Sequence, residues 1–387
     1  MKSKPRIYLD HAATSWPKPE SVYLAVNDAM RTLGAAAGRG AYAESLRADQ
    51  VISQLRRQIA TLVNAPNPSG VVFAANGTAA LNLAIAGLFG SLHSPVPHVV
   101  TTAAEHNSVL RPLRAMADHQ RVEMTIVPCD SEGKVDADQV LAAVGKETRL
   151  VAVGHASNVT AAIQPIAAIG SQLRNHPALF LVDAAQTFGY LPIDVQEAGI
   201  DLLATAGHKG ALGPLGTGAL CVSPQAEPQI AASVWGGTGG NSDQLTMPTC
   251  LPQRLEAGNL NVPALAGWLA GLQWLQQNQT SQQHLHQLAQ RFDQGLAEIE
   301  GIQVWGAGSP LPVRSFVSQQ LSPADFAAVL EAEFGVQVRT GLHCAALIHP
   351  YLGTTSDGTV RLSAGHLSRS EEVDVAINAI AQVVAGL

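Results

Sequence analysis

Between residues 69 and 222 the chain alternates short, unbroken apolar runs with helical patterns, and this alternation restricts the fold more than any other feature. The runs at 71–74, 98–102, 123–127, 150–154, 179–182, 202–206 and 218–222 read as strands. Helix patterns fall between them at 78–89, 108–119, 136–144 and 165–175, the last opened by Pro165 at the favoured first-turn position. A strand that is apolar throughout needs cover on both faces. The expectation is therefore an α/β fold with a mostly parallel seven-stranded sheet and crossover helices, its functional groups gathered in loops at the strands' carboxyl ends.

At 387 residues the chain exceeds what one hydrophobic core usually supports, so two unequal domains are expected. Residues 1–18 read as an N-terminal segment packing with the smaller domain, 19–261 as the larger domain, and 262–387 as a smaller α+β domain. Helices are expected at 19–33, 43–63, 262–278, 281–300 and 370–384, and the Gly-, Thr- and Pro-rich stretch 235–261 reads as an ordered functional loop or hinge. The formal charge of −7 comes with no basic cluster, which argues against nucleic acid or an acidic membrane as partner. Cys129, Cys221, Cys250 and Cys344 form no Cys-x-x-Cys pair, so neither a zinc site nor a disulfide framework is expected. With no apolar leader at the N-terminus and no run long enough to span a bilayer, a soluble cytoplasmic protein is expected.

Lys209 lies between Gly207-His208 and Gly210 just after an apolar strand, whereas Lys2, Lys4, Lys18, Lys134 and Lys146 lie near the N-terminus or in polar stretches. Burying an ammonium is costly, and the usual return is an amine free to form an imine with a carbonyl. Pyridoxal phosphate would demand four things: this lysine, an acid for its ring nitrogen, a partner for its ring face, and donors for its phosphate. Asp183 and Gln186 follow one strand, His106 another, and Asn76-Gly77-Thr78 closes a third where a helix begins. His208 offers a further phosphate donor. Each of these residues also has an ordinary structural reading, as a cap, a turn residue or a satisfied histidine.

Six motifs occur together: Leu9-Asp10-His11-Ala12-Ala13-Thr14, Glu105-His106-Asn107, His155-Ala156-Ser157-Asn158, Asp183-Ala184-Ala185-Gln186, Gly207-His208-Lys209 and Arg339-Thr340-Gly341-Leu342-His343-Cys344. In this order they resemble the class V aminotransferase-fold enzymes of the type I fold of pyridoxal-phosphate-dependent transferases. The closest likeness is to the cysteine desulfurases of the SufS-like group, with an Arg-x-Gly-x-x-Cys loop.

The resemblance implies that Lys209 holds the cofactor and shuttles the substrate's Cα proton. Asp183 would pair with the ring nitrogen, Gln186 with the phenolic oxygen, and His106 with the ring face. Gly77, Thr78 and His208 would hold the phosphate. Asn158, Arg361, Arg339 and His343 would meet the substrate, and Cys344, with Arg339 and His343 as basic neighbours, would accept sulfur from L-cysteine as a persulfide; L-selenocysteine, which would bring selenium instead, is the alternative substrate. A homodimer is implied, with Asn259 of Glu256-Ala257-Gly258-Asn259 reaching a phosphate across the interface. A SufE-like protein, an iron–sulfur scaffold or a small thiol would take the sulfur.

Three positions depart from the pattern: Ala206 where a hydroxyl usually stands, Asn259 for threonine, and Ala79 for an acid. The segment 345–359 after Cys344 is also longer than in compact versions of the loop. Two readings compete with desulfuration: a C–S or C–Se lyase or other class V reaction that needs no protein thiol, and a non-catalytic scaffold on the same fold.

Overall fold

The computed structural model describes residues 6–90, 94–240, 243–278, 281–354 and 356–386; Lys2 and Lys4 lie outside that range. The chain enters through β1 (Ile7–Tyr8), α1 (Glu20–Asp28) and α2 (Ala43–Leu62). The alternating region follows as β2 (Val71–Ala74), α3 (Gly77–Phe89), β3 (His98–Thr102), α4 (Asn107–Asp118), β4 (Glu123–Val127), α5 (Ala137–Ala142), β5 (Thr148–Gly154), α6 (Ile166–Leu173), β6 (Leu179–Asp183), β7 (Leu202–Ala206) and β8 (Gly218–Val222). These strands form one seven-stranded sheet in the order β2-β8-β7-β6-β5-β3-β4. Only β8 runs against its neighbours, so the sheet is mostly parallel, as the apolar runs required.

The unbroken apolar character of the strands has a direct explanation in their packing. In β6, Phe180 and Val182 point into one core and Leu179 and Leu181 into another on the opposite face. Period-two geometry divides a continuous run between two covered faces. Polar residues are left for the strand ends, where Asn76, Glu105, His106, Asn158, Asp183 and Lys209 all follow a carboxyl terminus.

Helix α7 (Val262–Gln277) departs from the expected boundary at 261/262. Trp268, Leu269 and Leu272 sit in the larger core, and the helix packs against α1 and α2. Its nine buried residues cover most of its circumference, so it belongs with the larger sheet and the smaller unit begins with the helix that follows. That unit comprises α8 (Ser281–Ala297), β9 (Ile302–Trp305), β10 (Val313–Ser318), α9 (Pro323–Val329), β11 (Val336–Gln337), β12 (Arg339–Gly341), α10 (His349–Leu352), β13 (Thr359–Ser363) and α11 (Ser370–Ala385). Its antiparallel sheet, ordered β12-β13-β10-β9, packs Phe316 and Leu362 with Phe292, Phe326 and Ile380 of the helices.

The N-terminal segment joins this smaller unit. β1 pairs in parallel with β11, Ile7 and Leu9 enter its core, and Asp10 bridges to Ser363. In the stretch 235–261, Leu251 and Leu255 are core residues, and Glu256 takes two 2.9 Å hydrogen bonds from Arg56 and one of 2.6 Å from the Phe73 amide. Among the described residues no helix is long and apolar enough to cross a membrane.

Candidate active site

The carboxyl ends of β2, β3, β5, β6 and β7 enclose a cavity of about 100 Å³, lined by Asn76, Gly77, Thr78, Glu105, His106, Ser108, Asn158, Asp183, Gln186, Ala206, His208 and Lys209, with other residues. At one end, the Asn76 side chain caps α3 by accepting the Ala79 amide at 2.9 Å. The amides of Gly77 and Thr78, in the first turn, have no upstream helical carbonyl and are left for an anion. A Cβ on Gly77 would stand 3.5 Å from that of Ala206, so Ala206 borders this same turn.

Lys209 lines the same cavity. Gly207 is required before it: a Cβ there would fall 2.3 Å from Thr217 Oγ1 and 2.8 Å from the Trp268 ring, which is how α7 bears on the lysine turn. Burial pulls the Lys209 ammonium down to about 8; Asp183 opposes this, and Arg361 and Arg339 reinforce it. Asp183 accepts the Ala185 amide at 2.9 Å, and burial pushes its carboxyl up against the opposing effects of that amide and of Lys209. A cation beside Asp183 would restore its charge.

His106 is the N-cap of α4, its Nδ1 accepting the Ser108 amide at 3.0 Å. Burial, together with Lys209 and the nearby arginines, lowers it to about 4. The ring is therefore neutral near pH 7 with its proton on Nε2. His208 is also lowered to about 4, first by burial and then by Lys209 and Lys18, and its Nδ1 is buried without a partner among the described residues. Gln186 lines the cavity, but its Nε2 already donates to the Ala12 carbonyl at 3.1 Å.

The smaller unit supplies the remaining groups. Arg361 on β13 is fully buried, donating to Asp10 Oδ1 at 2.6 Å and to the Asn158 carbonyl at 3.0 Å, while its Nε has no partner among the described residues. Arg339 Nη2 lies 3.3 Å from Cys344 Sγ. The Cys344 carbonyl accepts the Asn107 amide at 2.7 Å, docking the cysteine loop beside His106, and the Asn158 side chain donates to the His343 carbonyl at 2.6 Å. His343 and Cys344 both adopt left-handed backbone, with φ of 49° and 59°. Two such residues in succession are rare outside glycine and project the thiol outward, where Cys344 is exposed.

Not every expected residue reaches its expected place. The His343 ring is buried and bonded at 2.9 Å to Thr359 Oγ1, and burial with Arg361 beside it holds the imidazole neutral. It props the loop rather than facing substrate, and it is no cation for Cys344. Asn259, expected at the phosphate of a second copy and not in the cavity of its own chain, is exposed. The segment after Cys344 packs inward through Ile348 and Leu352, with His349 bonded to Thr354 and to the Leu342 carbonyl.

Other residues carried no assigned role in the sequence, although Asp10 and Glu105 lie inside quoted motifs. Asp10 pairs with Arg361, and Ser108 bonds both Thr78 and His106. Glu105 is pushed up to about 8, chiefly by burial, and accepts a 2.7 Å bond from Thr102. It therefore lines the cavity as a carboxyl that holds its proton more tightly than an exposed glutamate does.

These groups fit pyridoxal 5'-phosphate. Free helix amides and the unpartnered His208 Nδ1 stand at the anion end, Asp183 suits a protonated ring nitrogen, and Lys209 offers an amine for the aldehyde. Among the described residues no three His, Cys, Asp or Glu side chains are grouped to hold a metal ion.

The chain matches the aminotransferase class-V family over residues 7–375. It is 33% identical to a probable cysteine desulfurase of Methanothermobacter thermautotrophicus, covering 95% of this chain and 92% of that relative. Among solved structures, the apo cysteine desulfurase of Thermococcus onnurineus superposes with a TM-score of 0.91 at 30% identity, over 99% of this chain and 95% of the other. The Escherichia coli cysteine desulfurase CsdA, in its S-sulfonic acid form, gives 0.88 at 27% identity over the same shares of each chain.

Proposed function

The chain belongs to the class-V aminotransferase family, in its cysteine desulfurase branch, and we propose that its cavity binds pyridoxal 5'-phosphate and converts L-cysteine to L-alanine, passing the sulfur to Cys344. The observation that carries this reading is the docking of Cys344: its carbonyl is bound beside His106 while its sulfur faces Arg339. Cys129 and Cys221, by contrast, are buried.

When bound, the cofactor supplies an electrophilic carbon and a cationic ring that withdraws electrons from the substrate's Cα. The protein's own groups do the rest. Lys209 would hold the cofactor through Nζ and, when released from it, would take and return the Cα proton there; burial lowers its ammonium to about 8, so it gives up a proton more readily than an exposed lysine. Asp183 keeps the ring nitrogen protonated, Gln186 meets the phenolic oxygen, and the neutral His106 ring covers the ring face. Gly77, Thr78 and His208 hold the phosphate, with Asn259 of a second copy completing that end in a homodimer. Arg361 turns its free Nε toward the substrate carboxylate, and Asn158 fixes its orientation.

Cys344 then attacks the substrate sulfur as a thiolate, with Arg339 as its charged donor. The new S–S bond forms as the substrate's C–S bond breaks. The electron pair left on carbon takes up a proton to give alanine, and the enzyme keeps a persulfide. The exposed position of Cys344 lets a thiol acceptor, a SufE-like protein or an iron–sulfur scaffold, collect the sulfur in the cytoplasm. L-selenocysteine would enter the same site.

The test is Cys344→Ala, incubated with cofactor and L-cysteine. Desulfuration predicts that alanine formation collapses while cofactor absorbance is retained. Sulfide released at the wild-type rate with pyruvate and ammonia in place of alanine would instead establish a C–S lyase. A wild-type protein that binds no cofactor would leave only a scaffold.

A further inference from the structure

The anion end of the cavity contains a hydrogen-bonded pair of hydroxyls, Thr78 and Ser108, and the roles above do not use the second. Ser108, the second residue of α4, is 8% exposed and lines the same cavity as Thr78, His106 and Ala206. Its Oγ lies 2.7 Å from Thr78 Oγ1 and 2.8 Å from His106 Nδ1. The Ser108 amide also donates to that nitrogen at 3.0 Å, so Nδ1 carries no proton, and the single proton of the Ser108 hydroxyl can go either to Nδ1 or to Thr78 Oγ1.

An anion at the first turn of α3 would select between the two. Thr78 must point its single proton at the anion, which leaves its oxygen to accept from Ser108. The His106 ring, through the Ser108 amide, holds the serine backbone where its hydroxyl can make that donation. Ala206, at the end of β7 beside Gly77, offers this end of the cavity no hydroxyl. We propose that Ser108 is a positioning residue for the cofactor's phosphate, donating to Thr78 Oγ1 so that the Thr78 hydroxyl is committed to the anion, in place of the hydroxyl that Ala206 lacks. Consecutive hydrogen bonds that end on a charge strengthen one another in a site shielded from water.

The inference rests on the reading that this cavity binds pyridoxal 5'-phosphate, and its test separates the two. Cofactor-stripped protein is titrated with pyridoxal 5'-phosphate and, separately, with pyridoxal, which lacks the phosphate; binding is followed by absorbance and protein fluorescence. Ser108→Ala should weaken pyridoxal 5'-phosphate about tenfold, on the order of 1.4 kcal/mol, and leave pyridoxal within about twofold of wild type. Ser108→Thr, which keeps the hydroxyl, should restore most of the loss. In a Thr78→Val background the Ser108→Ala effect should vanish, because the relay is already broken. Equal weakening of both ligands would place Ser108 on the ring through His106 and overturn the proposal, as would an unchanged affinity for the phosphorylated ligand. Should Ser108→Ala not fold, a Ser108→Thr protein that binds the phosphorylated ligand tenfold more weakly would overturn it too. Wild-type protein that binds neither ligand would sink the cofactor reading itself.

Discussion

Removing Lys209 should stabilise the cofactor-free protein. Burial lowers this ammonium from 10.5 to about 8, so in the folded state its proton is disfavoured relative to the unfolded chain. Below about pH 8 both states bind the proton and the whole penalty is present. Between 8 and 10.5 the unfolded state holds more protons, so stability rises with pH and the penalty drains away. At about 1.4 kcal/mol per pKa unit the penalty is on the order of 3 kcal/mol at neutral pH. For 387 residues an unfolding entropy of roughly 0.8 kcal/mol per degree converts this into about 4 °C, and more if the larger unit melts alone. Methionine is the substitute of choice, since it is unbranched, of comparable length and uncharged. The assay is calorimetry on protein stripped with hydroxylamine, wild type against Lys209→Met, from pH 6.5 to 10. The Met variant should melt higher at pH 7, with the gap closing above pH 8. A variant that melts lower at pH 7, or a gap that does not change with pH, would refute the reasoning.

Three further outcomes follow from the same geometry. Asp10→Ala strands the buried Arg361 guanidinium and should cost roughly 3 kcal/mol by thermal unfolding, whereas Asp10→Asn, which keeps an acceptor for Nη2, should cost about 1 kcal/mol; equal losses would contradict a hydrogen-bonded pair. Arg339→Met removes the donor 3.3 Å from Cys344 Sγ and should slow alkylation of Cys344 by iodoacetamide about tenfold at pH 7, read by peptide mass spectrometry; an unchanged rate would show that the arginine does not act on the thiolate. At Gly218 a Cβ would fall 2.4 Å from the Asn76 carbonyl carbon, so Gly218→Ala should push the α3 cap, weaken cofactor binding at least tenfold and cost about 1–3 kcal/mol of stability; full affinity would mean that the turn absorbs the methyl freely.

The larger sheet was legible because strands covered on both faces leave an unmistakable trace: every residue from Leu179 to Val182 is apolar, and none can be spared. All seven strands fall where those runs placed them, with only the ends of β5 and β6 extended. That α7 packs into the larger core was not legible, because it carries the pattern of any buried helix and nothing in its sequence says which core receives it. Lys209, Asp183, His106 and Thr78 were legible because each follows a strand that the pattern had already located. His343 was not, since a histidine beside a cysteine reads the same whether its ring faces substrate or Thr359; the left-handed turn decides it. Ser108 left no signal because its partner Thr78 stands on a different helix and comes close only once α3 and α4 have packed together.

The run from Asp10 to Lys18 explains how two units can share one reaction. At its start β1 is a strand of the smaller unit, and Asp10 grips Arg361 on β13. A few residues on, the Ser15 amide, the Thr14 and Ser15 hydroxyls and Lys18 Nζ all converge on the carbonyl of His208, and the Ser15 hydroxyl also reaches that of Lys209 at 2.9 Å. A carbonyl has two lone pairs, so four donors within 3.1 Å share them and the peptide is hemmed in from the whole of that side. Burial lowers Lys18 to about 7, and a neutral amine still donates, so the clamp does not depend on its charge. The backbone of the lysine turn is thus set by the same short segment that holds the arginine. Lys209 and Arg361 are far apart in the chain, yet one strap ties them together, alongside the direct bond from Arg361 to the Asn158 carbonyl. That is why the Leu9-Asp10-His11-Ala12-Ala13-Thr14 motif belongs to the site, although only Asp10 places a charged group on one of its residues.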